Sequence, residues 1–152
     1  MPQSLSKIWL HVVFSTKERK RYFQNEQFST EMFRMLSHEV TTFDCVSAGV
    51  GGYVDHVHLL IGLSRTVTVA DLVKHLKIRT SKWAKSADRG VGTFQWQAGY
   101  GVFSVSHSNR STVSEYILNQ KEHHSGGMSF QDELRTLCAK HEIEIDERYV
   151  WE

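Results

Sequence analysis

The alternation and spacing of apolar residues divide the chain into short strands and longer helices. Four runs rich in β-branched, aromatic and other apolar residues predict β-strands over residues 8–15, 45–50, 53–61 and 94–105. Gly51 and Gly52, between the second and third runs, predict the turn of a β-hairpin. The glycines inside the fourth run indicate a bend or a close approach of two backbones. The pattern therefore predicts a central hairpin followed later by an irregular strand.

Helical spacing of apolar residues accounts for most of the remaining chain. Four such segments predict helices over residues 26–42, 69–86, 111–124 and 130–140. Thr68 is the predicted N-cap of the second helix, with Asp71 at its third position. Ser108 or Ser111 is the predicted cap of the third helix. Residues 87–92 are predicted to form the loop that follows the second helix.

The order of these elements determines the expected fold class. The chain runs β-α-β-β-α-β and then continues into two helices, which is the ferredoxin-like arrangement that RNA-recognition (RRM-like) domains also use. Right-handed crossovers would place both early helices on one face of a four-stranded antiparallel sheet. We therefore expect an α+β protein that forms a single domain over residues 1–152, with a C-terminal helix and tail from about residue 128.

Length and composition favour a folded, soluble protein. The 152 residues suffice for one domain with a sizeable core, and 40% of them are hydrophobic against 23% charged. No apolar run approaches the roughly 18 residues that a transmembrane helix requires, and the N-terminal residues lack the apolar segment of a signal peptide. Cys45 and Cys138 lie far apart and form no C-x-x-C motif. This usage favours a reducing, cytoplasmic setting and argues against a cysteine metal site.

Positive charges are concentrated in two segments, although the net charge of the protein is only +1. Between Lys74 and Arg89 the sole acidic residue is Asp88, and a second basic segment follows the first predicted strand. A localised basic surface favours a polyanionic partner, while a solvated helix face is the alternative. The candidate contacts to DNA phosphates are Lys17, Arg19, Lys20, Arg21, Lys77, Arg79, Lys82 and Lys85.

Two histidines occupy alternate positions of the third predicted strand. Side chains alternate between the faces of a strand, so His56 and His58 point the same way, with their imidazoles about 7 Å apart. Such a pair is half of a metal site, and imidazoles suit Zn, Mn, Fe or Ni better than a calcium cage. A purely structural pair is the alternative. Leu60 at the next alternate position argues against the HxHxH motif of histidine-triad nucleotide hydrolases.

A tyrosine and a glutamine share one face of the third predicted helix. Tyr116 and Gln120 are four residues apart, which is one helical turn. A tyrosine hydroxyl beside a metal ion is a suitable nucleophile for a DNA phosphodiester, because the ion offsets the cost of forming a phenolate from a group whose pKa is about 10. The covalent phosphotyrosine would conserve the energy of the broken linkage and allow rejoining. Taken alone, the same two residues are equally consistent with a packing tyrosine and a surface amide.

Together these residues carry a resemblance to a known family. His56-Val57-His58 is an HUH motif, and it is followed by the Y-x-x-x-Q pair of Tyr116 and Gln120. The segments His11–Lys17 and Trp96–Gly101 also fit. In this order the chain resembles the HUH tyrosine transposases of single-strand insertion sequences, the TnpA family, over about Trp9 to His124.

The resemblance implies a specific chemistry. His56, His58 and Gln120 would bind a divalent metal, Mg or Mn, and no nucleotide cofactor would be needed. Tyr116, on the catalytic helix added C-terminal to the sheet domain, would form a 5′-phosphotyrosine link to single-stranded DNA. The family members are dimers that recognise DNA hairpins at element ends, and a homodimer is therefore expected. Asp55 would orient a histidine from outside the metal ligand set.

Two other readings remain open at this point. A domesticated relative that processes chromosomal repeat hairpins would share all of this chemistry. A non-catalytic single-strand nucleic-acid-binding module is possible because RRM-like domains have the same sheet order, although no RNP-like run such as Lys-Gly-Phe-Gly-Phe-Val is present. His123 and His124 are expected to face solvent or to hydrogen-bond a helix terminus, and His11 is expected to lie outside the site.

Overall fold

The computed structural model describes residues 2–86 and 91–152. Its four strands are β1 (Trp9–Ser15), β2 (Val46–Gly52), β3 (His56–Gly62) and β4 (Gly101–Val105). Its α-helices are α1 (Glu26–Thr42), α2 (Val69–Ala84), α3 (Arg110–Leu118), α4 (Gln120–Ser125) and α5 (Phe130–Lys140). Single turns of 3₁₀-helix cover Lys17–Arg19, Tyr22–Gln24 and His107–Asn109. The predicted loop over 87–92 falls largely on residues 87–90, which lie outside the described part.

The sheet has the predicted topology. Its strand order is β2-β3-β1-β4 and every neighbouring pair is antiparallel, which confirms the ferredoxin-like α+β fold. The central strand β1 is buried along its whole length, between β3 and β4. In this register Val13 lies opposite His58, and Ser15 lies opposite His56. The histidine strand is therefore held in the interior of the sheet.

The two faces of the sheet are covered by different helices. Val12 and Phe14 of β1, with Val57 and Leu59 of β3, pack in the main core against α1 and α2. The alternate residues of the same strands, Val13 among them, contact the second half of the chain through α3 and α5. Both early helices share one face, as predicted, and the histidine pair faces the other helices because of the two-residue period of a strand.

The glycine pair expected at the hairpin turn lies inside β2 instead. Gly51 pairs with His58 and Gly52 with Val57, so that prediction was wrong, and the connection to β3 runs through residues 53–55. The reason is the packing of α3. A Cβ atom placed on Gly51 would lie 2.2 Å from the carbonyl oxygen of Ile117. Glycine is needed there because the helix backbone approaches the strand backbone directly.

The fourth strand is shorter than predicted. Residues before Gly101 leave the β4 ladder, although Trp96 keeps an isolated bridge to Thr16. Gln97 continues the contact with β1, since its backbone N–H donates to the Ser15 carbonyl at 2.9 Å and its Oε1 accepts from the Ser15 N–H at 2.7 Å. The Lys77 ammonium group donates to the carbonyls of Gln97 and Gly99, which holds the bent segment against α2.

The helix boundaries are mostly as predicted, with one break. The Thr68 hydroxyl accepts from the Asp71 N–H at 3.1 Å, which confirms that cap. The predicted third helix is two helices that meet at Asn119, and neither predicted serine caps it because Asn109 holds the N-cap position. Among the described residues, no helix combines the length and apolar character that crossing a bilayer demands.

Candidate metal and tyrosine site

The two motif histidines are fully buried and present their Nε2 atoms to a common point. His56 Nδ1 lies 2.8 Å from Asp55 Oδ1, so the neighbouring carboxylate orients this ring in the manner predicted. His58 Nδ1 lies 2.7 Å from His11 Nε2. A neutral His58 satisfies its contacts by accepting at Nδ1 and donating at Nε2. Each Nδ1 is thereby occupied, and both Nε2 atoms face α5.

The group that they face is Glu133, which sequence reasoning missed. Its Oε1 lies 3.2 Å from His56 Nε2 and 2.9 Å from His58 Nε2, and the side chain is only 2% exposed. Glu133 is 75 residues from His58 in the chain, so no local motif joins them. One signal was available: Glu133 is an acidic residue on the apolar face of a helix, three residues after Phe130 and four before Leu137.

The predicted tyrosine and glutamine both reach this cluster within one chain. The Tyr116 hydroxyl donates a short hydrogen bond to Glu133 Oε2. Gln120 is fully buried, and its Oε1 lies 3.2 Å from His56 Nε2. The Tyr116 ring stands edge-on to His58, with centroids 5.8 Å apart. The structure therefore brings together all four residues that the motifs singled out, despite the helix break between α3 and α4.

Three further histidines complete the surroundings. His124 is buried, and its Nε2 lies 3.0 Å from both Glu133 Oε1 and Gln120 Oε1. His123 Nε2 is 3.5 Å from Glu133 Oε2 at the exposed edge of the cluster. His11 contacts His58 from β1. These side chains extend the site beyond the predicted set, because sheet register and helix docking place them there.

The electrostatics of the cluster centre on one buried carboxylate. Burial alone would raise the pKa of Glu133, but hydrogen bonds with three imidazoles hold it well below its usual range. Burial opposes the charged form of His56, yet its bonds to the carboxylates of Asp55 and Glu133 raise the pKa of its imidazole to about 9. Burial lowers the pKa of His58 to about 4. Burial and the charge of Glu133 raise the pKa of Tyr116.

Comparison with known families gives this arrangement a context. Residues 4–120, about three quarters of the chain, match the family model described as "Transposase IS200 like". The chain belongs to the IS200-like transposase family. The matched region includes His56, His58, Tyr116 and Gln120, whereas Glu133 lies beyond it. Curated protein sequences contain no match.

Two solved structures share the fold of this IS200-like transposase. A protein from Deinococcus radiodurans R1, described as a candidate transposase, is 24% identical with a TM-score of 0.59, over 80% of this chain and 96% of the other. A REP-associated tyrosine transposase, solved with a REP hairpin, is 13% identical with a TM-score of 0.52, over 77% of this chain and 70% of the other. At these identities the likeness establishes the fold.

The donor atoms of the candidate metal and tyrosine site suit a divalent metal ion. The ligand atoms of His56, His58 and Glu133 all lie within 4.8 Å of one another, which is close enough for a single ion to contact them together. Gln120 Oε1 lies beside the same His56 nitrogen. Two imidazoles with a carboxylate and an amide oxygen form a mixed donor set that Mn accepts, and the oxygens suit Mg as well. The buried His-His-Glu group could therefore hold a metal ion.

A cavity gives outside groups access to the tyrosine. It has a volume of about 330 Å³ and is bordered by Tyr116, Glu133 and His11. Apolar and basic side chains from β4 and α5, including Phe103 and Lys140, also line it. The volume falls at the lower end of the range of small-molecule pockets. A group that enters it meets the tyrosine hydroxyl and the carboxylate at the same wall.

The eight predicted phosphate contacts do not all line the same surface. Five of them, Lys17, Arg19, Lys77, Lys82 and Lys85, line one groove on the α2 side of the molecule, whereas the other three, Lys20, Arg21 and Arg79, lie outside that groove. Lys77 differs from the rest because it is half-buried and its Nζ atom donates to main-chain carbonyls at 2.7 and 2.8 Å. Burial lowers the pKa of Lys77 to about 8.

Proposed function

We propose that this IS200-like transposase is a metal-dependent enzyme that cleaves and rejoins single-stranded DNA at hairpin-marked element ends through a 5′-phosphotyrosine intermediate. One observation carries the proposal. The Tyr116 hydroxyl is bound to the carboxylate of Glu133, whose other oxygen contacts both motif histidines. The proposed nucleophile and the metal-binding donor set thus contact the same carboxylate, and the chain belongs to a transposase family.

The reaction needs one bond made and one broken at phosphorus. The Tyr116 oxygen attacks the scissile phosphate, the bond from phosphorus to the 3′-oxygen breaks, and the phenol proton is finally carried by the released 3′-hydroxyl. Glu133 Oε2 accepts the hydrogen bond of the phenol and thereby orients the attacking oxygen. Reversal, with a new 3′-hydroxyl as the nucleophile, rejoins the strand and frees the tyrosine.

The metal ligands of the proposal are His56, His58 and Gln120, with Glu133 added to the set that the sequence implied. A bound Mg or Mn ion would polarise a phosphate oxygen and favour the phenolate. The residues of the chain supply the remainder. Asp55 fixes the ring of His56, and His11 fixes the ring of His58, so both Nε2 atoms are aimed before a ligand arrives.

Formation of a covalent adduct tests the proposal. Wild-type protein is incubated with Mn or Mg and single-stranded oligonucleotides that carry hairpins from the DNA flanking its gene. We expect a denaturation-resistant protein–DNA adduct that does not form when EDTA is present from the start and does not form on fully paired duplexes of the same sequences. If the hairpins bind but none gives an adduct with either metal, the non-catalytic binding module is the correct reading. The position of the reactive hairpins, at element ends or in chromosomal repeats, separates a mobile transposase from a domesticated relative.

We further propose that all residues of one active site come from the same chain. This would hold in the homodimer that the family resemblance implies as well. Gln120 Oε1 lies 3.2 Å from His56 Nε2 of the same chain, and Tyr116 shares Glu133 with both motif histidines. A mixture of Tyr116→Phe protein with a His56→Ala/His58→Ala double variant should therefore form no adduct. Wild-type protein mixed with the double variant is the control and should keep its activity. Recovery of adduct in the first mixture, after co-refolding, would show that tyrosines are exchanged between subunits.

A further inference from the structure

A large groove lies on the α2 side of the molecule, away from the metal and tyrosine site. Its volume is about 1340 Å³. It is lined by residues of α2, of the 3₁₀ turn after β1, of the bent segment before β4 and of the last turn of the chain. The lining residues that matter here are Lys17, Arg19, Ile78, Lys82, Lys85, Trp96, Arg148 and Trp151. We call this surface the basic groove.

The basic groove combines positive charge with an apolar floor. Six lining residues are basic and only Glu18 and Glu152 are acidic. Within the described part of the chain, the ammonium groups of Lys17, Lys82 and Lys85 have no carboxylate partner. These charges are therefore available to a ligand, whereas that of Lys77 is committed to main-chain carbonyls.

The floor of the groove exposes apolar side chains. A helix face that only contacts solvent would be expected to carry polar residues there. Ile78 is 55% exposed in the middle of the basic side of α2. Trp151 also borders the groove, and the guanidinium of Arg19 lies over its ring at 5.9 Å from the centroid. Unpaired nucleotides offer phosphates and apolar base faces together, while a duplex hides its base faces in the stack. The combination therefore favours a single strand.

The position of the groove connects it to the reaction centre. Ser15 lies opposite His56 in the sheet and on its other side is hydrogen-bonded to Gln97, which lines the groove. Adjacent strands are spaced about 4.8 Å apart, so the backbone of Gln97 is roughly 10 Å from that of His56. Lys17, which lines the groove, is only two residues after Ser15 in the chain. A strand that leaves the groove along this turn therefore has about 10 Å to cover, around the end of β1, to reach the strand that carries the histidine pair.

We propose that the basic groove binds an unpaired stretch of the substrate strand next to the segment that enters the metal and tyrosine site. The inference rests on the proposed function, because it takes single-stranded DNA as the substrate. Lys17, Lys82 and Lys85 contact phosphates, and Ile78 contacts base faces. The groove thereby selects DNA that is unpaired beside the scissile phosphate.

Binding without cleavage isolates the groove from catalysis. The probe is a fluorescein-labelled oligothymidylate without secondary structure, measured by anisotropy in EDTA on the otherwise wild-type protein. Lys82→Glu/Lys85→Glu should weaken binding at least about tenfold and lower the slope of log K against log salt by about 0.7 for each lost phosphate contact. Lys74→Glu is the matched control, since Lys74 is exposed on the same helix but lines a different cavity, and it should change binding far less.

The role of the apolar floor is tested by removing bases from the oligonucleotide and, separately, the apolar side chain from the protein. An abasic oligonucleotide of equal length should bind wild-type protein more weakly, and Ile78→Ser should reduce the difference between the two oligonucleotides. Val46→Ser, an exposed apolar residue on the edge strand, is the control. The proposal is wrong if a blunt duplex competes as well as the single strand, or if Lys74→Glu is as damaging as the double variant. Normal groove binding without any adduct on hairpin DNA would instead overturn the proposed function alone.

Discussion

Tyr116→Phe should abolish the covalent protein–DNA adduct and lower strand cleavage by at least about 1,000-fold, because it removes the only atom proposed to attack phosphorus. The substitution deletes one oxygen and keeps the ring, which stands edge-on to both His58 and His11. The loss of the hydrogen bond to Glu133 should cost about 1–3 kcal/mol of stability, too little to explain the loss of activity by unfolding. The measurement is single-turnover cleavage of a labelled hairpin oligonucleotide.

The matched control is Tyr149→Phe. That tyrosine is 60% exposed in the C-terminal tail and makes no contact with the metal and tyrosine site in the described structure. Its adduct should form at the wild-type rate, and metal binding should be retained in both variants. An adduct that persists at full yield in Tyr116→Phe would assign the nucleophile to another residue.

Glu133→Gln should weaken Mn binding by about 10- to 100-fold, the scale on which single groups around protein metals act. The substitution keeps the shape of the side chain and its capacity to accept a hydrogen bond from Tyr116, but it removes the negative charge that three imidazoles face. Replacement of an anionic oxygen by an amide lowers the affinity for a dication. Calorimetric titration of Mn into each protein measures the effect directly.

The same experiment tests whether Glu133 instead fills the position of the ion. A carboxylate that merely blocks the histidines would compete with the metal, and Glu133→Gln would then bind Mn more tightly than the wild type. Asp132→Asn supplies the control, since Asp132 is the adjacent acid on α5 and is 62% exposed at the surface. Its Mn affinity should equal that of the wild type within error.

The sequence predicted what depends on local periodicity. Alternation along β3 placed His56 and His58 on one face, and the four-residue spacing placed Tyr116 above Gln120. The order of strands and helices then determined the sheet topology. These features were predictable because each is determined by a few consecutive residues or by the handedness of connections.

Features that depend on docking between distant segments were not predictable in this way. Glu133 joins the site only because α5 packs under β1 and β3, and the family match ends before it. Gly51 looked like a turn residue because glycine pairs usually are, yet it lies in β2 and allows the close approach of α3, which only the folded chain defines. Trp96 left the predicted strand because its side chain is buried in the core and its Nε1 donates to Thr80 of α2.

The direct contact between Gly51 and α3 fixes the distance between this helix and the sheet at the metal and tyrosine site. Most helix–sheet distances are set by side chains, which can change rotamer. Here the backbone of Gly51 meets the backbone of Ile117, the residue that follows Tyr116 in α3. The height of Tyr116 above His56 and His58 is therefore set by atoms that no rotamer change can move. Any side chain at position 51 would lift Tyr116 away from the sheet, so this glycine specifies the spacing between the tyrosine and the histidine pair.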